Sequence, residues 1–237
     1  MPDSMEQAPR RAAAAGPALI RLLGRLADLD AADSGRLPSD QLAGWLAWTD
    51  AIALAAALDG QAPPASGAPA DPTGDPAGEC ARVRGALAEA IAADLMLGEA
   101  ARRARAGGPV RDDAGAAEPV YEPYRERYLF LQRRMETRIG SLRARLRTAL
   151  AARGGEMARL AAVDAVMEQV LGARERSLLG SIPALLERRF ERLRQAAGQA
   201  QAAWLDAFRK DARGVLLAEL DLRFQPVGGL AEAIAGR

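Results

Sequence analysis

Apolar residues recur along this chain at intervals of three and four, the spacing that lines one face of an α-helix. The longest such run is Tyr121, Tyr124, Tyr128, Leu131, Met135, Ile139, Leu142, Leu146 and Leu150, which predicts a helix over 120–153 ended by Gly154 and Gly155. Met157, Leu160, Met167, Leu171 and Leu178 predict the next, over 156–179. Leu186, Phe190, Leu193, Ala197, Trp204, Phe208, Val215 and Leu222 predict a third, starting near Ser181 and terminated by Pro226. Gly228 and Gly229 then precede a short tail helix over 230–235. Upstream, Leu19, Leu22, Leu23, Leu26 and Leu29 mark a helix over 17–31, and Val83, Leu87, Ile91 and Leu95 one over 77–105. Between them, 39–59 is apolar almost all round, with Ser39 as N-cap and Gly60 as stop, which predicts a buried core helix.

No stretch alternates with the period of a strand, so the pattern predicts an all-α protein. Short glycine breaks make consecutive long helices antiparallel neighbours. The expectation is an elongated antiparallel bundle over 120–237, joined by N-terminal helices over 17–105 that pack on it or form a small lobe. Residues 1–16 read as disordered. Segments 60–77 and 106–119 are Pro, Gly, Ala and Asp with almost no large apolar residue, and read as flexible loops.

Composition supports helix and narrows the chemistry. Ala supplies 55 of 237 residues and aromatics only 4%, so the core is built mainly from Leu and Ala. The chain has no His, which excludes His-based triads, His general bases and His metal ligands. Its one Cys, Cys80, excludes disulfide frameworks and thiolate zinc sites and fits a reducing, cytoplasmic setting. Arg outnumbers Lys 31 to 1, which GC-rich coding explains without any special guanidinium chemistry. A net charge of +1 exerts no global pull towards nucleic acid or anionic lipid. Residues 42–58 have the minimum length for a membrane span, but Asp50 sits at the centre and no basic anchor flanks them, so no membrane insertion is expected. Arg10 and Arg11 precede an apolar run too short, and too interrupted by Gly16 and Pro17, for a signal sequence.

Charges that interrupt apolar faces are the candidates for chemistry. With Leu160 taken as the centre of its helix face, Asp164 and Arg174 lie about 40° to either side, and Glu168 falls on the flank of Asp164. Asp211 similarly interrupts the stripe between Phe208 and Val215. These groups read either as a carboxylate site or as an ion-pair network that sets helix register, for example Arg174 with Asp211; the second reading is favoured, since buried charges need partners. A di-metal carboxylate bundle requires His as well, so no metal or other cofactor is expected. Helix 120–153 is basic, with nine Arg against three Glu over 121–153, and Arg125, Arg133, Arg134, Arg143 and Arg147 form a candidate interaction surface. Tyr121, Tyr124 and Tyr128 offer base-stacking groups there, but they sit on the apolar stripe and read as core. Residues 1–76 carry ten acids and five Arg, so protein carboxylates are the preferred partners of the basic helix. Asp50, beside Trp45 and Trp48, is a candidate buried polar group that accepts a hydrogen bond. Cys80, at a helix start where the dipole lowers a thiol's pKa, reads as incidental. No glycine-rich phosphate loop is present, and no small-molecule substrate is evident.

Five segments carry a resemblance: WLAWTDAIALAAAL (45–58), YEPYRERYLFLQRRME (121–136), LAAVDAVMEQVLGARERSLL (160–179), PALLERRFERLR (183–194) and LLAELDLRFQPVGGL (216–230). The chain resembles members of a bacterial family of unknown function of about this length. The resemblance supplies no catalytic residue. It implies a cytosolic accessory or assembly role, in the setting of an envelope-associated complex. Together with the long amphipathic helices, this predicts a non-enzymatic protein that binds a protein partner or itself. The alternative is nucleic-acid binding through 120–153.

Overall fold

The computed structural model describes residues 18–26, 48–59, 75–94, 119–197 and 201–236. In chain order the helices are α1 (Ala18–Leu26), α2 (Trp48–Leu58), α3 (Pro76–Ala92), α4 (Glu122–Ala151), α5 (Gly155–Gly180), α6 (Ile182–Ala197) and α7 (Gln201–Ala235). No strand occurs among the described residues, and the protein is all-α. The expected disorder of 1–16, the loop residues 60–74 and 106–118, and the helix extensions at 27–31 and 95–105 lie outside the described residues.

The chain forms two compact units. One gathers α1, α3 from Ala88 onwards, α4 up to Gln132, α6, and α7 up to Leu222. The other gathers α2, α3 up to Leu87, α4 from Arg133, α5, and α7 from Arg223. α1 packs on α6 and α2 on α5, so the N-terminal helices are shared between the units.

The first unit has an aromatic core. Phe190 sits at its centre, 4.9 Å from the Trp204 ring and 5.1 Å from Phe208, both edge to face. Tyr121 and Tyr124 close the group at 5.7 and 5.9 Å. Such pairs add to the area burial of their rings. The second unit is aliphatic: Met135, Ile139, Leu142, Leu146 and Leu150 of α4 are buried in it, as are Leu87, Ala161, Leu179, Val227 and Leu230. Every member of the α4 stripe expected from the spacing is buried.

Local signals set most boundaries. Asp75 caps α3 by accepting the Gly78 N–H at 3.0 Å, and Pro76 occupies the first helical position. The last residues of the expected 60–77 loop are therefore the start of α3. Gly154 and Gly155 turn α4 into α5 with φ of 69° and 53°, a region where a Cβ is strained.

Three expectations are corrected. Pro226 does not end the last helix: α7 runs through it to Ala235 with no break at Gly228 and Gly229. The cost of an internal proline, about 3 kcal/mol, is offset because Val227, Leu230, Ala231 and Ile234 continue the buried face beyond it. α2 is not enclosed on all sides, since Ala57 is buried while Ile52 and Leu58 are exposed. Finally, Leu160 is not the centre of the buried face of α5. Leu160 and Leu178 are exposed, and Ala161 and Leu179, one residue further round, are buried.

Candidate functional site

The shift of the α5 face brings its carboxylates inward. Relative to Leu160, Ala161 and Leu179 lie at about 100°, with Asp164, Glu168 and Glu175 at about 40–80°. These acids therefore face the same side as the buried residues, and in the second unit they meet α4. Arg143 grips Asp164 with a two-pronged contact, Nη2 to Oδ1 at 2.7 Å and Nε to Oδ2 at 2.9 Å. Arg147, one turn on, donates to Asp164 Oδ2 at 3.1 Å and also to Glu168. Arg143 reaches Glu168 at 3.6 Å.

This quartet is largely withdrawn from solvent, with Asp164 11% and Arg143 13% exposed as side chains. Burial on its own depresses the Arg143 guanidinium, but the hydrogen bonds and charge of Asp164, aided by Glu168 and Glu175, reverse this and hold its pKa above the ordinary value. Arg143 thus stays charged throughout the accessible pH range. A bidentate guanidinium–carboxylate fork is both strong and directional, so it fixes the register of α4 against α5. In the same unit Arg223 of α7 donates to Glu175 at 3.2 Å.

The first unit holds a second polar group that sequence reasoning missed. Glu219 is fully buried; the Tyr128 hydroxyl donates to its Oε2 at 3.1 Å and the Gln132 amide at 2.9 Å. Its signal is its position, four residues after Val215 on the α7 stripe, where a charge needs donors from a facing helix. Nearby in sequence, buried Arg209 donates to the Tyr124 hydroxyl at 3.2 Å and to Asp206 at 3.1 Å. Tyr121 donates to the Pro183 carbonyl at 2.6 Å, and burial, reinforced by Glu187, pushes its phenol up. All three tyrosine rings are buried, so none is presented for stacking on a base.

The expected residues therefore separate. Asp164 and Glu168 come together, but with Arg143 and Arg147. Asp211 pairs with Arg189 of α6 at 2.9 Å, and the Arg174 partner offered as an example belongs to the other unit. Arg174 is exposed. Of the candidate basic surface, Arg143 and Arg147 are corrected from surface to seam groups. Arg125 is exposed and paired with Glu122 at 2.9 Å, whereas Arg133 and Arg134 are exposed, as is Arg138. The side chains of Trp45, Trp48 and Asp50 lie outside the described residues. The Cys80 thiol is raised, not lowered: partial burial dominates, and Glu79 and Asp75 add to it.

Among the described residues no cluster of three His, Cys, Asp or Glu side chains is able to hold a metal ion. No described helix is long and apolar enough to cross a membrane. Comparison with curated proteins and with solved structures finds no match. The family described as "Protein of unknown function (DUF3348)" matches residues 5–236, and the chain belongs to that family.

Proposed function

We propose that this protein is a non-enzymatic helical interaction or assembly factor. One observation carries the reading: the α2–α5 pair keeps Ile52, Leu58, Leu160 and Leu178 exposed, four of the seven large apolar side chains exposed among the described residues. Apolar exposure concentrated on one helix pair marks an association surface. The engagement of Asp164, Glu168 and Glu219 by donors within the chain supports the same reading, since a carboxylate filled by guanidinium or amide N–H groups is poorly placed to act as a base. A cytoplasmic accessory role beside an envelope-associated complex belongs to this proposal, supported by the single Cys and the resemblance set out above. The test is affinity capture with cross-linking from the native cell, followed by reconstitution with the purified partner. A strictly monomeric protein that reconstitutes with nothing would end the reading.

A second reading rests on Arg133, Arg134 and Arg138, which leave α4 basic on its exposed side. It expects salt-sensitive binding of a generic duplex or single strand, weakened when the three are changed to Ala. Flat fluorescence anisotropy at low salt dismisses it.

A further inference from the structure

We propose that the outward face of α4 from Phe130 to Arg138 binds single-stranded nucleic acid, with a base stacked on Phe130 and phosphates on Arg133, Arg134 and Arg138. The inference rests on the nucleic-acid reading above and narrows it to unpaired strands. The four residues share one side of a single helix. With Phe130 taken as zero, Arg133 lies at about −60°, Arg134 at about 40° and Arg138 at about 80°, whereas the buried stripe is centred near about 140°. All four are exposed, and Phe130 keeps 43% of its surface in solvent. Among the described residues Arg133, Arg134 and Arg138 make no ion pair or side-chain hydrogen bond, while Arg143, Arg145 and Arg147 further along the same helix are all engaged. Three adjacent guanidiniums without acceptors suit a polyanion.

Charge alone would fit an acidic protein surface as well, and the aromatic ring decides between them. An exposed ring among arginines is the combination that binds single strands, the ring taking a base and the cations the backbone. Phe130 is also held in place. The Arg127 guanidinium lies over its ring, 4.7 Å from the centroid, and Arg127 is itself fixed by donating to the buried Asp94. A base inside a duplex is already stacked on both sides, so the ring selects unpaired bases. Thr137, at about −20° between Arg133 and Arg134, adds an exposed hydroxyl, a group that also donates to phosphates. The acids set the direction of the strand. Glu126 stands one turn before Phe130, and Glu136 lies about 120° round the helix and pairs with Arg176 at 3.9 Å. The strand therefore runs from Phe130 towards Arg138, away from Glu126.

Fluorescence anisotropy of the full chain with a labelled oligothymidylate tests the proposal. Binding is expected at low salt, and an unlabelled duplex of the same length should compete at least about 10-fold less well. Changing Arg133, Arg134 and Arg138 together to Ala should reduce the slope of log affinity against log salt by about 2. Phe130→Leu keeps an apolar side chain but loses the ring, and should weaken binding about 10-fold, whereas Phe130→Trp should preserve it. On a strand of the same length made of abasic sites, Phe130→Leu should change nothing, because the phosphates remain and the bases are gone. All these side chains are exposed, so the far-UV circular dichroism is expected to stay the same. A Phe130→Leu chain that binds oligothymidylate as well as the native chain, a duplex that competes equally, or polyglutamate that displaces the strand at the same concentration of charge overturns the proposal. If the duplex competes equally while the three arginine changes still lower the salt slope, the generic nucleic-acid reading survives; flat anisotropy with strand and duplex alike ends both.

Discussion

At the scale of single residues, the α3 start shows how closely local geometry is set. Asp75 Oδ1 accepts the Gly78 N–H, and a Cβ at position 78 would stand 2.0 Å from Asp75 Oδ2. Gly78→Ala is therefore expected to displace the capping carboxylate. It should cost about 1 kcal/mol in urea unfolding, the same loss as Asp75→Ala. The thiol two residues on reports the same charges. Thiolate is the reactive form, and burial with Glu79 and Asp75 holds the Cys80 pKa up, so its alkylation rate should rise only at pH values above those of an ordinary thiol. Asp75→Asn keeps the cap and removes a charge, and should move that profile to lower pH. In the seam, Asp164→Ala removes the two-pronged acceptor of Arg143 and leaves Glu168 to both guanidiniums, and is expected to cost about 2 kcal/mol, the loss of charge-assisted hydrogen bonds. The loss should be far from additive with Arg143→Ala, which a double-mutant cycle would show as a coupling of about 1 kcal/mol or more.

At the scale of elements, periodicity was a good guide to which face of α4 is buried and a poor one for α5. α4 has only one large apolar stripe, so burial had one solution. α5 offers two faces one residue apart: a leucine and methionine seam, and a line of Ala161 and Leu179 interleaved with acids. The strongest hydrophobic spacing selected the first. The structure buries the second because Arg143 and Arg147 of α4 supply the charges that its acids need. Pro226 departs from its local expectation for a related reason. Proline removes one N–H and crowds the Leu222 carbonyl, a fixed local cost, whereas the burial that outweighs it comes from residues beyond it. Pro226→Ala should therefore stabilise the chain, by about 1–3 kcal/mol, with no change in helix content by circular dichroism. Gly154→Ala should do the opposite, losing about 1 kcal/mol at a positive φ with no side chain within 4 Å to relieve or worsen it.

At the scale of the whole molecule, aromatic packing and the Glu219 network belong to one unit, and the Arg–carboxylate quartet to the other. The all-α class, the α4 stripe, the glycine turn and the limits of α4 and α5 were determined by the sequence itself, because each depends on spacing or on one residue's own backbone preference. So was the exclusion of His chemistry, which is a matter of composition. The separation of Asp211 from Asp164, the withdrawal of Arg143 and Arg147 from the surface, and the burial of Glu219 between Tyr128 and Gln132 were decided only by the tertiary structure. A charge in an apolar stripe announces that it needs a partner. The partner's identity depends on which helix faces it, and in what register, and that is settled by the packing of residues far away along the chain.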